Sequence, residues 1–482
     1  MQEKSRITKL LAINEWSKFE VKRAACLPKR LLETVCSFVN TEGGILVLGM
    51  EDPDKALGKD RLIGLSENPN NVSDFLKLLR SEFEPPLQHL VATEEEMIIN
   101  ADGGKDKLLV VTISKGDDIH SLKNGDTFTR KGSQNIKIGA SEILRLRYEK
   151  GSIKFENELS SITSLRELDD TLLQKYKKDT GSEGEDSWQF LKDNGLAKSK
   201  SGKMHLTKAG ILLFGGNPAV LLGNKCSIKI SHYFGTEPTF SGEPNFVRRP
   251  LTIEGPLLKQ IDETLHYFQT AVKESAPRLE GGTFKPSLLI PEWVFQEAVA
   301  NAVIHRNYSV QNDVQIRFFD DRIEVESPGT YPAHITSTNI RSERFARNPI
   351  IQRVLNRFQN APNLDIGEGV DRMYALMKQY NLYEPIFFPV KIRPNSVHLI
   401  LYNLHTIDYW DTVSNFLDRY GRITNKQTRE ITGIADTLEV SRLLGSWATK
   451  GLLEKVGKTK GAYYIKTGQD ILSFLLFKES DK

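Results

Sequence analysis

The stretch FQEAVANAVIHRNY, residues 295 to 308, constrains the fold more than any other part of the chain. It is nearly all small and apolar, so a helix built from it has no broad polar face to turn toward water and must be largely buried. Glu297, Asn301 and His305 interrupt it at i, i+4 and i+8, which on a helix stacks them on a single face. A carboxylate one turn before an amide can hold a hydrated Mg²⁺ through the amide oxygen while the carboxylate activates a water for attack on a phosphate. The same pair can equally be an internally hydrogen-bonded polar face, since Glu and Asn at this spacing are common.

The residues downstream favour the metal-binding alternative. SIKISHYFG, VQIRFFDDRIEVESPG and VHLILYNL alternate apolar and polar residues as strands do. DRIEVESPGTYP is a strand running into a Pro-Gly turn, and LDIGEGVDRM places Gly367 and Gly369 at the opening of a helix. Glycines there let backbone N–H groups approach a phosphate, and the helix offers its positive end. A lone GxG is a weak signal. The polar-ladder helix, then strand and glycine turn, then GxG before a helix, in that order, is much stronger.

That order resembles the GHKL ATPases, the superfamily of gyrase B subunits, MutL and histidine kinases. It is closest to their divergent branch in bacterial Schlafen-related proteins, labelled RecG-like or transcriptional regulators. The resemblance implies a left-handed βαβ sandwich, the Bergerat fold, binding ATP with Mg²⁺ between helix and lid. It implies Glu297 as general base and Asn301 as Mg²⁺ ligand with His305 on the same face, and it places Gly329, Gly367 and Gly369 around the nucleotide. The lid would be ITSTNIRSERFARNPIIQRVL, whose Arg344, Arg347 and Asn348 either reach phosphate or form a solvated basic helix end. Most members have an Asp that reads the adenine amino group; here Ser327 stands in that place, followed by Pro328 and a single glycine. A hydroxyl accepts a hydrogen bond without carrying charge, so the expectation is nucleotide binding with slow or absent hydrolysis.

At the other end, EWSKFEVKRA puts Glu20 and Lys22 on one face of a strand and Phe19 and Val21 on the other. LLETVCSFVNTEGG reads as an amphipathic helix closing at Asn40 and the glycines 43 and 44, and ILVLGMED as a buried strand whose end delivers Glu51 and Asp52. With Glu15 these carboxylates could bind a divalent ion, which with a positioned phosphate is nearly enough for phosphodiester cleavage. A surface of unpaired acids is the default for scattered carboxylates.

ExxxxExK followed by SFVNTEGGILVLGMED resembles the Schlafen core, also called the Alba-like or divergent AAA domain, over most of residues 10 to 140. The resemblance implies that Glu15, Glu20 and Asp52 form a ribonuclease site holding Mg²⁺ or Mn²⁺. It also implies that DTFTRKGSQNIKIGASEI is the strand from which Arg130, Lys131 and Ser133 hold phosphate oxygens, with Lys22 and Arg23 nearby. Plain solubility explains such bases equally well. In the C-terminal part, RITNKQTREITGIADTLEVSRLLGSWATKGLLEKVGKTKGAYY reads as helix, turn at Gly433, helix and a hairpin carrying Lys455, Lys458 and Lys460, the outline of a winged helix. Such a module could lay Thr437, Ser441 or Arg442 along a major groove or serve as a protein contact, and the basic hairpin favours nucleic acid.

The expected class is therefore multidomain α/β. A Schlafen-like α+β nucleic-acid domain covers 1–150, a helical connector 151–205, a GHKL-like α/β sandwich 206–405 and a winged helix 406–482. The net charge of +3 confines any basic surface to a local patch. Cys26, Cys36 and Cys226 lie far apart with no CxxC pair, which predicts reduced thiols. No stretch approaches the length of a membrane span and MQEKSRITKLLAINEW lacks the apolar run of a signal peptide, so a cytoplasmic protein is expected. Two functions remain. One is a DNA-binding, transcription-regulating protein whose occupancy ATP tunes, with a structural acidic cluster. The other is a metal-dependent endoribonuclease against tRNA or structured RNA, a stress or anti-phage effector under nucleotide control. A homo-oligomer is expected by analogy with GHKL proteins.

Overall fold

In the computed structural model the strand Phe19–Lys22 runs parallel to Gly44–Leu48, and the helix Pro28–Asn40 makes the crossover that a parallel pair requires. Pro28 opens that helix, where its missing N–H has no intrahelical partner to lose. Past its end Gly43 turns at φ +72°, and a Cβ there would lie 2.6 Å from the Ile113 carbonyl. Antiparallel strands Lys105–Ile113 and Val91–Ile99 complete a four-stranded sheet. Alternation splits its side chains between two cores. Leu46, Leu48, Leu109 and Val111 pack with Val35 and Phe38 of the crossover helix, while Phe19, Val21, Ile45, Val47 and Val110 pack on the opposite face.

The structure describes residues 6–11, 17–273, 278–280, 283–285, 288–363, 367–390, 392–457 and 462–469. They divide into two compact units: one holds residues up to 153 with the short return Pro332–Thr336, and the other holds the remainder from Lys154. The three cysteines are free thiols.

The second unit is built on a six-stranded sheet ordered Phe246–Ile253, Ile228–Tyr233, Val314–Phe318, Arg322–Pro328, Ser396–Tyr402, Ile386–Phe387. Only Ile228–Tyr233 and Val314–Phe318 are parallel. The apolar helix Glu292–Ile304 lies on one face, where Phe295 stacks on Phe268 at 4.2 Å and the Ser327 hydroxyl donates to the Ala302 carbonyl at 2.7 Å. Residues paired across strands share a face, so the register Arg317↔Glu324 and Glu326↔His398 gathers charge on the opposite side. There Arg322 reaches Glu324 at 2.7 Å and Arg317 reaches Glu326 at 2.9 Å. The helices Trp410–Tyr420, Asn425–Thr432 and Thr437–Thr449, with the hairpin Leu453–Val456 and Tyr463–Lys466, share a core with Ile386, Ile400 and Tyr402 of this sheet. A capping box between Thr424 and Gln427 starts the middle helix and Gly433, at φ +75°, ends it.

The ladder helix is shorter than the sequence predicts. It closes at Ile304, so His305 is its C-cap residue and Arg306 to Tyr308 lie beyond it. The cause is remote in sequence: Asn348 donates 2.8 Å hydrogen bonds to the Ile304 and Arg306 carbonyls, and Arg347 donates one of 2.8 Å to the His305 carbonyl. Side chains thus satisfy the carbonyls that a further turn would have used.

Glu324 makes a pH prediction. Burial by itself would raise its carboxyl, but hydrogen bonds and charge from His398 and Arg322 bring it from 4.5 down to about 2. A folded-state value below the unfolded one gives stabilisation present above pH 4.5 and lost as pH falls toward 2. Glu324→Gln should therefore unfold more easily near neutral pH, by on the order of 2–3 kcal/mol. Urea denaturation should show that gap closing as the solution is acidified below pH 4.5.

Candidate functional site

On the ladder helix, Asn301 Nδ2 donates to Glu297 Oε1 at 2.9 Å. This leaves Asn301 Oδ1, the hard oxygen a Mg²⁺ would take, with no hydrogen bond to a described residue. Glu297 is buried, and burial pushes its carboxyl up against the opposing hydrogen bond from Asn301 and charge of Arg372. A carboxylate of raised pKa is a better proton acceptor at neutral pH. The helix Gly369–Gln379 begins directly against it: a Cβ on residue 369 would lie 1.8 Å from Glu297 Oε1. Among the described residues no side chain caps the first turn of that helix.

The other predicted residues divide into two groups. Gly367 turns at φ +70° and its carbonyl accepts from Arg344 Nε at 2.9 Å, which ties the glycine pair to the segment read as a lid. Leu364 to Ile366 lie outside the described residues. Gly329, at φ +99°, leaves room for Asn307 and Arg347, whose nearest atoms would be 2.5 and 2.9 Å from a Cβ there. Arg347 is buried and donates to the carbonyls of His305 and Thr330, so in this structure it fixes the helix end. Burial, then the charge of Arg347, depresses the His305 imidazole to about 4, which keeps the ring neutral at physiological pH. Its Nδ1 is buried with no hydrogen-bond partner among the described residues. The Ser327 hydrogen goes to Ala302, so toward any further group this hydroxyl can only accept.

Two residues of this region escaped the sequence reading. The Arg372 guanidinium lies 4.8 Å from the ring centroid of Trp293. Trp293 stands one turn before Glu297 and Arg372 three residues after Gly369, and that spacing was the available signal.

In the first unit Glu20 lies on the strand Phe19–Lys22, as the alternation predicts, and is buried. One of its oxygens lies on Lys22 Nζ and the other on Arg130 Nη2. Arg130 is buried too, donates to Asn135 Oδ1 at 2.7 Å and lies 4.9 Å over the Phe38 ring. Arg23 bridges Glu67, at 2.7 Å, and Glu51, at 3.1 Å. Asp52 Oδ1 accepts the Asp54 N–H at 2.9 Å within its own turn. Glu15 lies outside the described residues. Among the described residues no group of three or more His, Cys, Asp or Glu is placed to hold a metal ion. Lys131 is exposed, as are Arg442 and Lys455 in the C-terminal part. There Asn425 ties the helix Thr437–Thr449 through the Ser441 hydroxyl at 2.9 Å and the Thr437 carbonyl at 3.1 Å. Lys458 and Lys460 lie outside the described residues.

Residues 15–139 match the family model described as "Schlafen, AlbA_2", and residues 311–401 match the one described as "Putative ATP-dependent DNA helicase recG C-terminal". The first span contains Glu20, Asp52 and Arg130. The second contains Ser327, Gly329, Gly367 and Gly369 but begins after Glu297 and Asn301, which therefore stand on the geometry above. Among solved structures, the chain is similar to the DIP2311 protein from Corynebacterium diphtheriae, at 18% identity over 98% of both chains with a TM-score of 0.41. It is also similar to the N-terminal domain of an ATP-dependent DNA helicase RecG-related protein, described as putative, from Nitrosomonas europaea. That likeness is 27% identical over 23% of this chain and 73% of that one, with a TM-score of 0.18. No curated protein matches. The mixed α/β chain thus carries a Schlafen, AlbA_2 region and a region like the C-terminal part of RecG-type proteins, and the pair supports nucleic-acid and nucleotide binding. No helix among the described residues is long and apolar enough to cross a membrane.

The Gly369 contact is testable through stability. Gly369→Ala should break the Glu297–Asn301 bond or push the helix away, lowering stability by about 1–3 kcal/mol. Gly445→Ala, in the interior of the helix Thr437–Thr449 with no described atom within 4 Å of the new methyl, should instead raise it by up to about 1 kcal/mol. Thermal unfolding of the two variants checks the opposite signs.

Proposed function

We propose that this is a nucleotide-controlled nucleic-acid-binding protein of the cytoplasm, a DNA-binding transcriptional regulator whose grip responds to ATP. The observation that carries the reading is the Asn301–Glu297 pair, with its uncommitted amide oxygen, lying against the uncapped helix start at Gly369. The donor set fits the implied group. Asn301 Oδ1 would hold Mg²⁺, the backbone of Gly367 to Gly369 would take phosphate oxygens, and Ser327 would accept from an amino group on the base. When bound, Mg²⁺ supplies charge neutralisation at the phosphates. Glu297, buried and raised, is the residue placed to accept a proton from water.

The regulator is preferred to the ribonuclease because both Glu20 oxygens already lie on cations. A metal ion there would have to displace Lys22 or Arg130. The nucleic-acid contacts in this reading are Lys131 and, on a C-terminal winged helix, Arg442 and Lys455, all exposed and without an ion pair to a described residue.

Two outcomes are expected. Asn301→Ala should abolish Mg²⁺-dependent binding of a nonhydrolysable ATP analogue in calorimetry, whereas Glu297→Ala should preserve binding and slow any turnover. Replacing Arg442 and Lys455 together by Ala should weaken duplex DNA binding and reduce the slope of log affinity against log salt by about two units, roughly 0.9 for each lost phosphate contact. If incubation of the same protein with tRNA and Mg²⁺ or Mn²⁺ gave cleavage that both Glu20→Ala and a chelator abolish, the ribonuclease reading would replace this one.

A further inference from the structure

We infer that Arg372 contacts the terminal phosphate of a bound nucleoside triphosphate and sets a preference for triphosphate over diphosphate. This rests on the nucleotide reading above. Arg372 is the fourth residue of the helix Gly369–Gln379. Helical side chains lean toward the N-terminus, so an arginine at that position reaches back over the first turn, whose N–H groups have no side-chain cap from a described residue. Its guanidinium is held 4.8 Å from the Trp293 ring centroid, an arrangement that restrains the planar fork without using its N–H donors.

Position along the site is set by Glu297. Trp293, on which Arg372 lies, stands one turn before Glu297 on the same helix, and Gly369, one turn before Arg372, meets Glu297 itself. A residue that activates water must stand at the phosphate to be attacked, the terminal one. Phosphate and the Glu297 carboxylate repel each other, so a cation beside both is what allows them to share the space. The neighbouring arginines already have partners. Arg341 Nε pairs with Asp371 at 2.9 Å, Arg344 Nε donates to the Gly367 carbonyl at 2.9 Å, and Arg347 donates to the His305 carbonyl at 2.8 Å. Arg372 is exposed and forms no hydrogen bond or ion pair with a described residue.

The test is calorimetry of the full chain in Mg²⁺ with a nonhydrolysable ATP analogue and, separately, with ADP. Arg372→Gln should weaken the analogue roughly ten- to hundredfold, the usual worth of a charged hydrogen bond, while ADP changes by less than about threefold. Arg372→Lys, keeping the charge but not the fork, should fall between wild type and Arg372→Gln. A merely structural role would move both ligands together, so the ratio of the two affinities is the readout, with thermal unfolding confirming that each variant is folded. Should Arg372→Gln fail to fold, Arg372→Lys carries the same comparison. Equal loss for both ligands, or no loss, overturns the assignment. Asn301→Ala in the same series separates the two ideas: if it binds the analogue as wild type does, the nucleotide reading fails and Arg372 with it. If it does not bind while Arg372→Gln is unaffected, Arg372 alone is wrong.

Discussion

A buried carboxylate resting against a glycine holds the second unit's chemistry in place. Removing Glu297 from water costs several kcal/mol unless its oxygens are satisfied. The Asn301 amide meets one, and the partial positive charge at the start of the helix Gly369–Gln379 lies beside the same carboxylate. The second of these requires that helix to come closer than any side chain at residue 369 would permit, since even a methyl would stand 1.8 Å from the carboxylate oxygen. The ladder helix must in turn be immobile. The sheet beneath it, the Ser327–Ala302 hydrogen bond at 2.7 Å and the capping of its C-terminus by Arg347 and Asn348 supply that rigidity.

The same economy of partners explains the first unit. Glu20, Lys22 and Arg130 form a largely buried triad on the edge of a four-stranded sheet, with Arg130 stacked on Phe38 of the crossover helix. Taking one member away would leave a buried charge uncompensated, which is why such groups hold a fold's local geometry even where they add little net stability. Arg23, Glu51 and Glu67 make a second set whose arginine is half exposed and correspondingly weaker. The cations available for a polyanion are therefore those left outside these sets.

Elements whose cause is local were legible in the sequence. The strands Ile228–Tyr233, Val314–Phe318, Arg322–Pro328 and Ser396–Tyr402 follow from alternation, and the crossover helix and the helix starting at Gly369 follow from apolar spacing and glycine placement. The Glu297–Asn301 pair was legible because i, i+4 is a property of the helix alone. His305 was misplaced by one step because the cap that ends its helix is supplied by Arg347 and Asn348, far along the chain and beyond the reach of any local rule. The burial of Glu20 depends on Arg130, which no local pattern connects to it, and the Trp293–Arg372 contact depends on two helices meeting. Sequence periodicity says which face a residue occupies; it does not say what comes to cover that face.

The most direct test of the nucleotide site is a crystal structure of the full chain with Mg²⁺ and a nonhydrolysable ATP analogue. A metal ion on Asn301 Oδ1 and phosphate oxygens on the backbone N–H groups at Gly367 to Gly369 are expected. An analogue bound elsewhere, with Asn301 and the start of the Gly369 helix untouched by ligand, would contradict it.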